Sequence, residues 1–219
     1  MKQSDLRSSL ARVRGFKAKA LTFTLRTLRE AGHLTSTGAR GVNAPDMTTR
    51  DLAAALTAML TYETPGSNAA EAFRMIGGLT CRDPHPDAAG FSLEALRGLA
   101  APFTFADALT ALLDVYVHDA ETEPYLAHAT PMRDGSLHPP ACFVMVSRIP
   151  ELYAEIRMGR RQEPTASLYT FSGALPSIRE GIALDPTISP VCMRAAQVEE
   201  GTIKALADDF IQAGLEDAA

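Results

Sequence analysis

Several things that would point to a ready function are missing from this chain. Cys81, Cys142 and Cys192 are three in number, far apart and without a CxxC spacing. That argues against a disulfide framework or a zinc site. No eighteen consecutive apolar residues occur, so no membrane span is expected. Met1-Lys2-Gln3-Ser4-Asp5 leads into an arginine-bearing helix without an apolar core region. No secretory signal is therefore expected, and the cytoplasm is the default location. There is no GxSxG, Walker-type loop, GxGxxG or DxD-like element, and no residue stands out as a nucleophile. The expectation is a non-enzymatic protein with no cofactor and no metal.

Acidic residues are also scarce at one end. The first fifty residues hold ten Lys/Arg against three Asp/Glu, whereas the remaining 169 hold eleven against twenty-three. The net charges are +7 and −12, which add to −5 for the whole chain. A basic head on an acidic body suggests a unit that meets a polyanion, joined to a part with another task. Apolar content of 46% and charged content of 21% are globular values. A chain of 219 residues can bury a substantial core.

The apolar spacing lays out the elements. Ser4 is positioned to cap a helix with Leu6, Leu10 and Val13 on one face, closed by Gly15. A second helix is expected from about Lys17 to Ala31, stopping at Gly32. A polar loop, His33 to Gly41, ends at Asn43-Ala44-Pro45. Thr48 with Asp51 forms a capping pattern for a third helix, whose Leu52, Ala55, Leu56, Met59 and Leu60 make one face. Shorter helices are expected at about Ser67 to Ile76 and Ser92 to Leu99, with Gly77-Gly78 as a terminator. A clearer one runs from Thr104 to His118, started by Thr104/Asp107 and striped with Leu109, Leu112, Leu113, Tyr116 and Val117. Residues 121–140 carry four prolines and read as a loop or linker.

Beyond residue 140 the period changes to two. Cys142 to Ser147 is a compact apolar run, and in Glu151 to Met158 the residues Leu152, Ala154, Ile156 and Met158 alternate with polar ones. Ser167 to Ser172 and Val191 to Val198 are further strand candidates. A last helix from Thr202 to about Gln212 presents Ile203, Leu206, Ala207, Phe210 and Ile211. The fold class expected is α+β, a helical N-terminal portion followed by a small antiparallel sheet with a C-terminal helix. The units are read as 1–64, a basic helical head; 65–120, a helical core; 121–140, a linker; and 141–219, a small α+β domain.

The second helix carries the functional argument. At 100° per residue, Leu21, Leu25 and Leu28 form one apolar stripe and Phe16, Ala20 and Phe23 another on the far side. Lys19, Thr22, Arg26 and Arg29 share the polar sector between them. Such a helix would be wedged into a core, Phe16 and Phe23 included, while offering a cationic edge to phosphates and base edges. The plain alternative is a solvated face with no partner.

Leu25-Arg26-Thr27-Leu28-Arg29-Glu30-Ala31-Gly32-His33-Leu34, followed by Thr37-Gly38-Ala39-Arg40-Gly41, resembles the recognition-helix-to-wing passage of winged helix-turn-helix regulators of the MarR/ArsR type. The resemblance covers about residues 4 to 42 and implies that residues 1–64 are a basic helix-turn-helix unit. Where the family returns with a β-strand, this chain has Asn43-Ala44-Pro45 and then a helix, so a shortened loop or a plain helix-turn-helix is expected in place of the wing. The body as a whole resembles uncharacterised phage or prophage proteins. What the resemblance implies is double-stranded DNA as partner, with Lys19, Thr22, Arg26 and Arg29 at the major groove and Lys17 and Arg40 on phosphates. A homo-oligomer follows from how few contacts one unit makes, and the C-terminal part would meet a protein partner. The role implied is a phage-derived transcriptional regulator. The alternatives are a DNA-packaging or assembly component, or an inhibitor whose acidic body binds a basic protein surface.

Other candidate chemistry is thin. Asp114 and His118 stand at i and i+4 but have no third ligand at a fixed spacing. They read as a satisfied pair near a helix C-terminus. Cys81-Arg82-Asp83-Pro84-His85 lacks a second cysteine, and His128 and His138 bracket the proline-rich stretch without a partner.

Overall fold

A computed structural model describes residues 2–14, 18–35, 46–61, 68–82, 94–118, 130–131, 137–138, 141–149, 152–159, 167–172 and 194–216. Helix α1 (Gln3–Arg14) begins at Lys2, whose N–H donates to Asp5 Oδ2 at 2.9 Å. The Lys2 carbonyl accepts from the N–H groups of Asp5 and Leu6. Ser4, the expected cap, instead lies within the first turn and bonds Asp5. A carboxylate three residues into a helix reaches back to the first orphan N–H, and here Asp5 does so. Leu6 and Leu10 are fully buried.

Helix α2 (Ala18–Glu30) stops at the expected glycine. Gly32 has φ +77°, its N–H donates to the Arg29 carbonyl at 3.0 Å, and the His33 N–H donates to the Leu28 carbonyl at 2.9 Å. This is the paired C-terminal closure that needs a left-handed residue, which glycine supplies without a Cβ penalty.

Helix α3 (Thr49–Thr61) forms its capping box as spaced: the Thr48 N–H donates to Asp51 Oδ2 at 2.7 Å and the Asp51 N–H donates to Thr48 Oγ1 at 3.3 Å. The sequence pattern gave this helix one buried face. In fact every residue except Arg50 is buried, because helices on several sides and two strands of the sheet pack around it. Alanine and threonine score weakly in a hydrophobic count, yet their small side chains let neighbours approach from all directions.

Helix α4 (Ala69–Ala72) continues as a π-helical turn, Phe73–Gly77. A Cβ on Gly77 would stand 2.9 Å from the Phe73 ring, so glycine is what lets that ring lie there. After the short α5 (Glu94–Arg97), α6 (Phe105–His118) is capped by the Thr104–Asp107 box. Its five-residue stripe, Leu109 to Val117, is buried as expected. The stretch read as a linker contains a two-residue ladder, β1 (Thr130–Pro131) against β2 (Leu137–His138). The rest of 121–140 lies outside the described residues.

The sheet comprises β3 (Ala141–Ile149), β4 (Tyr153–Gly159), β5 (Ser167–Ser172) and β6 (Arg194–Glu199), followed at once by α7 (Glu200–Glu216). All pairings are antiparallel and the order is β5-β4-β3-β6. Three successive strands with a fourth returning beside the first is a Greek key. Cys142, Val144 and Val146 of β3, Ala154 and Ile156 of β4, and Tyr169 and Phe171 of β5 are buried on one face. The β5 edge is partly closed. The Arg82 N–H donates to the Thr170 carbonyl at 2.8 Å, while the Cys81 N–H donates to the Phe103 carbonyl at 3.0 Å. That segment staples the start of α6 to the sheet and uses edge groups that would otherwise be open to another strand.

One continuous core, from Leu6 to Ala207, runs through the head, the helical middle and the sheet. Arg12 of α1 pairs with Asp209 of α7, joining the two ends of the described chain. The architecture is α+β, with helices first, an antiparallel sheet next and a C-terminal helix last.

Candidate nucleic-acid interface

Helix α2 buries Leu21, Thr24, Leu25 and Leu28 and nothing else. At 100° per residue these centre on one side, and the opposite ridge is Lys19, Phe23, Arg26 and Glu30, with Thr22 and Arg29 flanking it. All six are exposed. This corrects the two-flanked reading: Phe23 is not core but 49% exposed, and Phe16 lies outside the described residues. The helix rests on the surface by one face, because α1, α3 and α4 all meet that same side.

Local bonds set the cations. Arg26 Nε donates to Glu30 Oε1 at 2.7 Å, with both side chains more than half exposed. The Glu30 hydrogen bond, and then its charge, hold the Arg26 guanidinium above its ordinary pKa. An exposed i,i+4 pair of this kind is worth little, so a phosphate can take the guanidinium from it. Arg29 Nη1 donates to Gln3 Oε1 at 3.2 Å, which brings the last turn of α2 back beside the first turn of α1. Gln3 and Arg7 are one turn apart on α1, so Arg7 extends the same edge. The Thr22 and Thr27 hydroxyls donate to the carbonyls of Ala18 and Phe23.

Two other cations of the basic head are paired with acids. Lys2 Nζ lies 3.1 Å from Asp46 Oδ1, and Arg12 pairs with Asp209. Lys19, Arg29, Arg7 and Arg50 form no ion pair among the described residues. Lys17 and Arg40, the expected phosphate holders, lie outside the described residues. Asp51 acts at the exit of the ridge. Besides capping α3, its Oδ1 accepts from the Thr35 N–H at 2.6 Å, so one carboxylate ties the end of the α2 turn to the start of α3.

Comparison with protein-family models, curated proteins and solved structures finds no match.

The remaining candidates resolve simply. Asp114 accepts from the Thr49 hydroxyl, which engages the carboxylate that the i,i+4 pair had offered to a ligand. His118 is exposed. Among the described residues no group of three or more His, Cys, Asp or Glu side chains could hold a metal ion. His85 and His128 lie outside the described residues, and His138 sits in β2. No helix among the described residues is long and apolar enough to cross a membrane.

The pattern missed one cluster. Tyr153, Glu155 and Arg157 alternate along β4 and share the sheet face that turns away from the helices. Glu155 is only 6% exposed. It accepts from the Tyr153 hydroxyl and from Arg157 Nε, the latter at 3.0 Å. Burying a carboxylate is costly unless partners meet both oxygens, and here they do. The period-two alternation placed Glu155 on the polar face. Its burial and its partners are set by how β4 is flanked, with Met145 on one side and Thr170 on the other.

Proposed function

We propose that this chain is a DNA-binding protein that meets a duplex through the outward ridge of α2. The observation that carries the reading is the joint exposure of Lys19, Arg26 and Arg29 on one helix whose opposite face is locked into the core by Leu21, Leu25 and Leu28. A cationic helix edge held rigid by its buried leucines suits a groove walled by phosphates, since an ordered backbone loses little freedom on contact. Thr22, short and on the same edge, permits close approach to base edges. The acidic remainder would then serve assembly or a protein partner, in the manner of a cytoplasmic regulator. A single ridge makes few contacts, so two heads per site are needed and a homo-oligomer follows.

Three neutralised phosphates on each of two heads give log affinity against log salt a slope of about −5.4. The test is duplex binding by the full chain, compared with the double variant Arg26→Glu/Arg29→Glu, at two salt concentrations. Loss of binding with an unchanged circular-dichroism spectrum supports the ridge. Undiminished binding by the folded variant rejects it.

A further inference from the structure

We propose that Phe23 reads the 5-methyl group of thymine in the major groove. This rests on the DNA-binding reading of α2 and adds to it a preferred base. Phe23 is 49% exposed, and among the described residues Phe143 alone shares such exposure for a large apolar side chain. It lies on the face opposite the buried leucines, so the core makes little use of it. It stands four residues after Lys19 and three before Arg26, which places all three in one row along the helix.

The chemistry of that row selects its occupant. An apolar ring between two cations suits a surface that is apolar at one spot and anionic on both sides. Among the four bases only thymine presents a methyl group in the major groove. From Lys19 to Arg26 the helix advances about 10.5 Å, roughly three base-pair steps. The cations at each end then reach phosphates or guanine edges while the ring lies over the middle pair. The row is convex, on the outside of a surface helix, and a groove about 12 Å wide admits a helix. A single-strand track, by contrast, is a groove in the protein itself.

The experiment uses the full chain with two duplexes of equal length, alternating dA–dT and alternating dA–dU. They carry identical phosphates and differ by one methyl group at every pair, so the contact is offered in every register. The uracil duplex is expected to bind more weakly by about fourfold per head, the worth of one buried methyl group, and so by about sixteenfold for two heads. Phe23→Ala should bind both duplexes equally at the weaker level with an unchanged salt slope, and Phe23→Leu should retain part of the preference. Equal, salt-dependent binding of both duplexes by the unaltered chain overturns the thymine assignment and leaves the DNA-binding reading standing. A preference that survives in Phe23→Ala also overturns it. Tighter, Phe23-dependent binding to single-stranded oligo-dT than to either duplex overturns it in favour of base stacking. Binding to none of these overturns both readings.

Discussion

Replacing Asp51 should loosen two elements at once. Its carboxylate accepts from the Thr48 N–H and hydroxyl at 2.7 and 2.9 Å, and from the Thr35 N–H at 2.6 Å. The side chain is 2% exposed, so water cannot readily replace it. Loss of the carboxylate half of the capping box costs about 1 kcal/mol. Loss of a charge-assisted bond to the Thr35 N–H costs about 1.5–3 kcal/mol more. For Asp51→Ala the total is about 2.5–4 kcal/mol, which in a chain of this length lowers the midpoint of thermal unfolding by about 5–16 °C. Asp51→Asn keeps one acceptor oxygen but turns an amide N–H₂ toward the other donors, so it should fall roughly midway. Thermal unfolding followed by circular dichroism measures both. Amide hydrogen exchange supplies the local readout, since the Thr35 N–H should lose protection in either variant. If Asp51→Ala unfolds within 2 °C of the parent chain and Thr35 stays protected, the reasoning that one carboxylate joins the α2 exit to α3 is wrong.

Three further outcomes follow from particular groups. Thr57 is fully buried in α3 and its hydroxyl oxygen has no partner among the described residues, so Thr57→Val should stabilise by about 1 kcal/mol; a lower urea midpoint would count against it. His33 lies with its ring 4.8 Å from Phe73. Burial, and then the charge of Arg74, hold its pKa below 6.5. The unfolded chain therefore binds the extra proton first, so this contribution is complete above pH 6.5 and declines as pH falls below it. Arg74→Gln should move the His33 NMR titration upward, and a native titration at or above 6.5 would refute the assignment. Burial pushes the Cys142 thiol up to about 12, only partly offset by a hydrogen bond with Tyr116. Cys142 should thus resist thiol reagents in the native state and react on unfolding, as mass spectrometry of the labelled peptide will show.

Local hydrogen bonding was readable in the residues themselves. The Thr48–Asp51 and Thr104–Asp107 boxes close within three residues, and the α2 stop at Gly32 closes within five. Such bonds depend on chain spacing alone, so nearest neighbours decide them. The period-two alternation in β4 likewise assigned Ala154 and Ile156 to the core face. One local error, Ser4 in place of Lys2 with Asp5, was a choice between nearby polar residues.

Burial was decided by tertiary structure. Phe23 has the same intrinsic preference for a core as Phe105, yet it is half exposed while Phe105 is fully buried. Among the described residues no element covers that side of α2, and several converge on α6 and the sheet. The same reason explains why α3 is buried all round and why Glu155 can sit almost out of water. The return of β6 to pair with β3, and the Arg12–Asp209 contact across 197 residues, depend on chain closure over distances that no local pattern encodes. Sequence set which groups each element carries and, at Thr48, Thr104 and Gly32, where helices begin or end. Only packing determined which of those groups the protein keeps for its core and which, like the Lys19–Arg26 ridge, it turns outward.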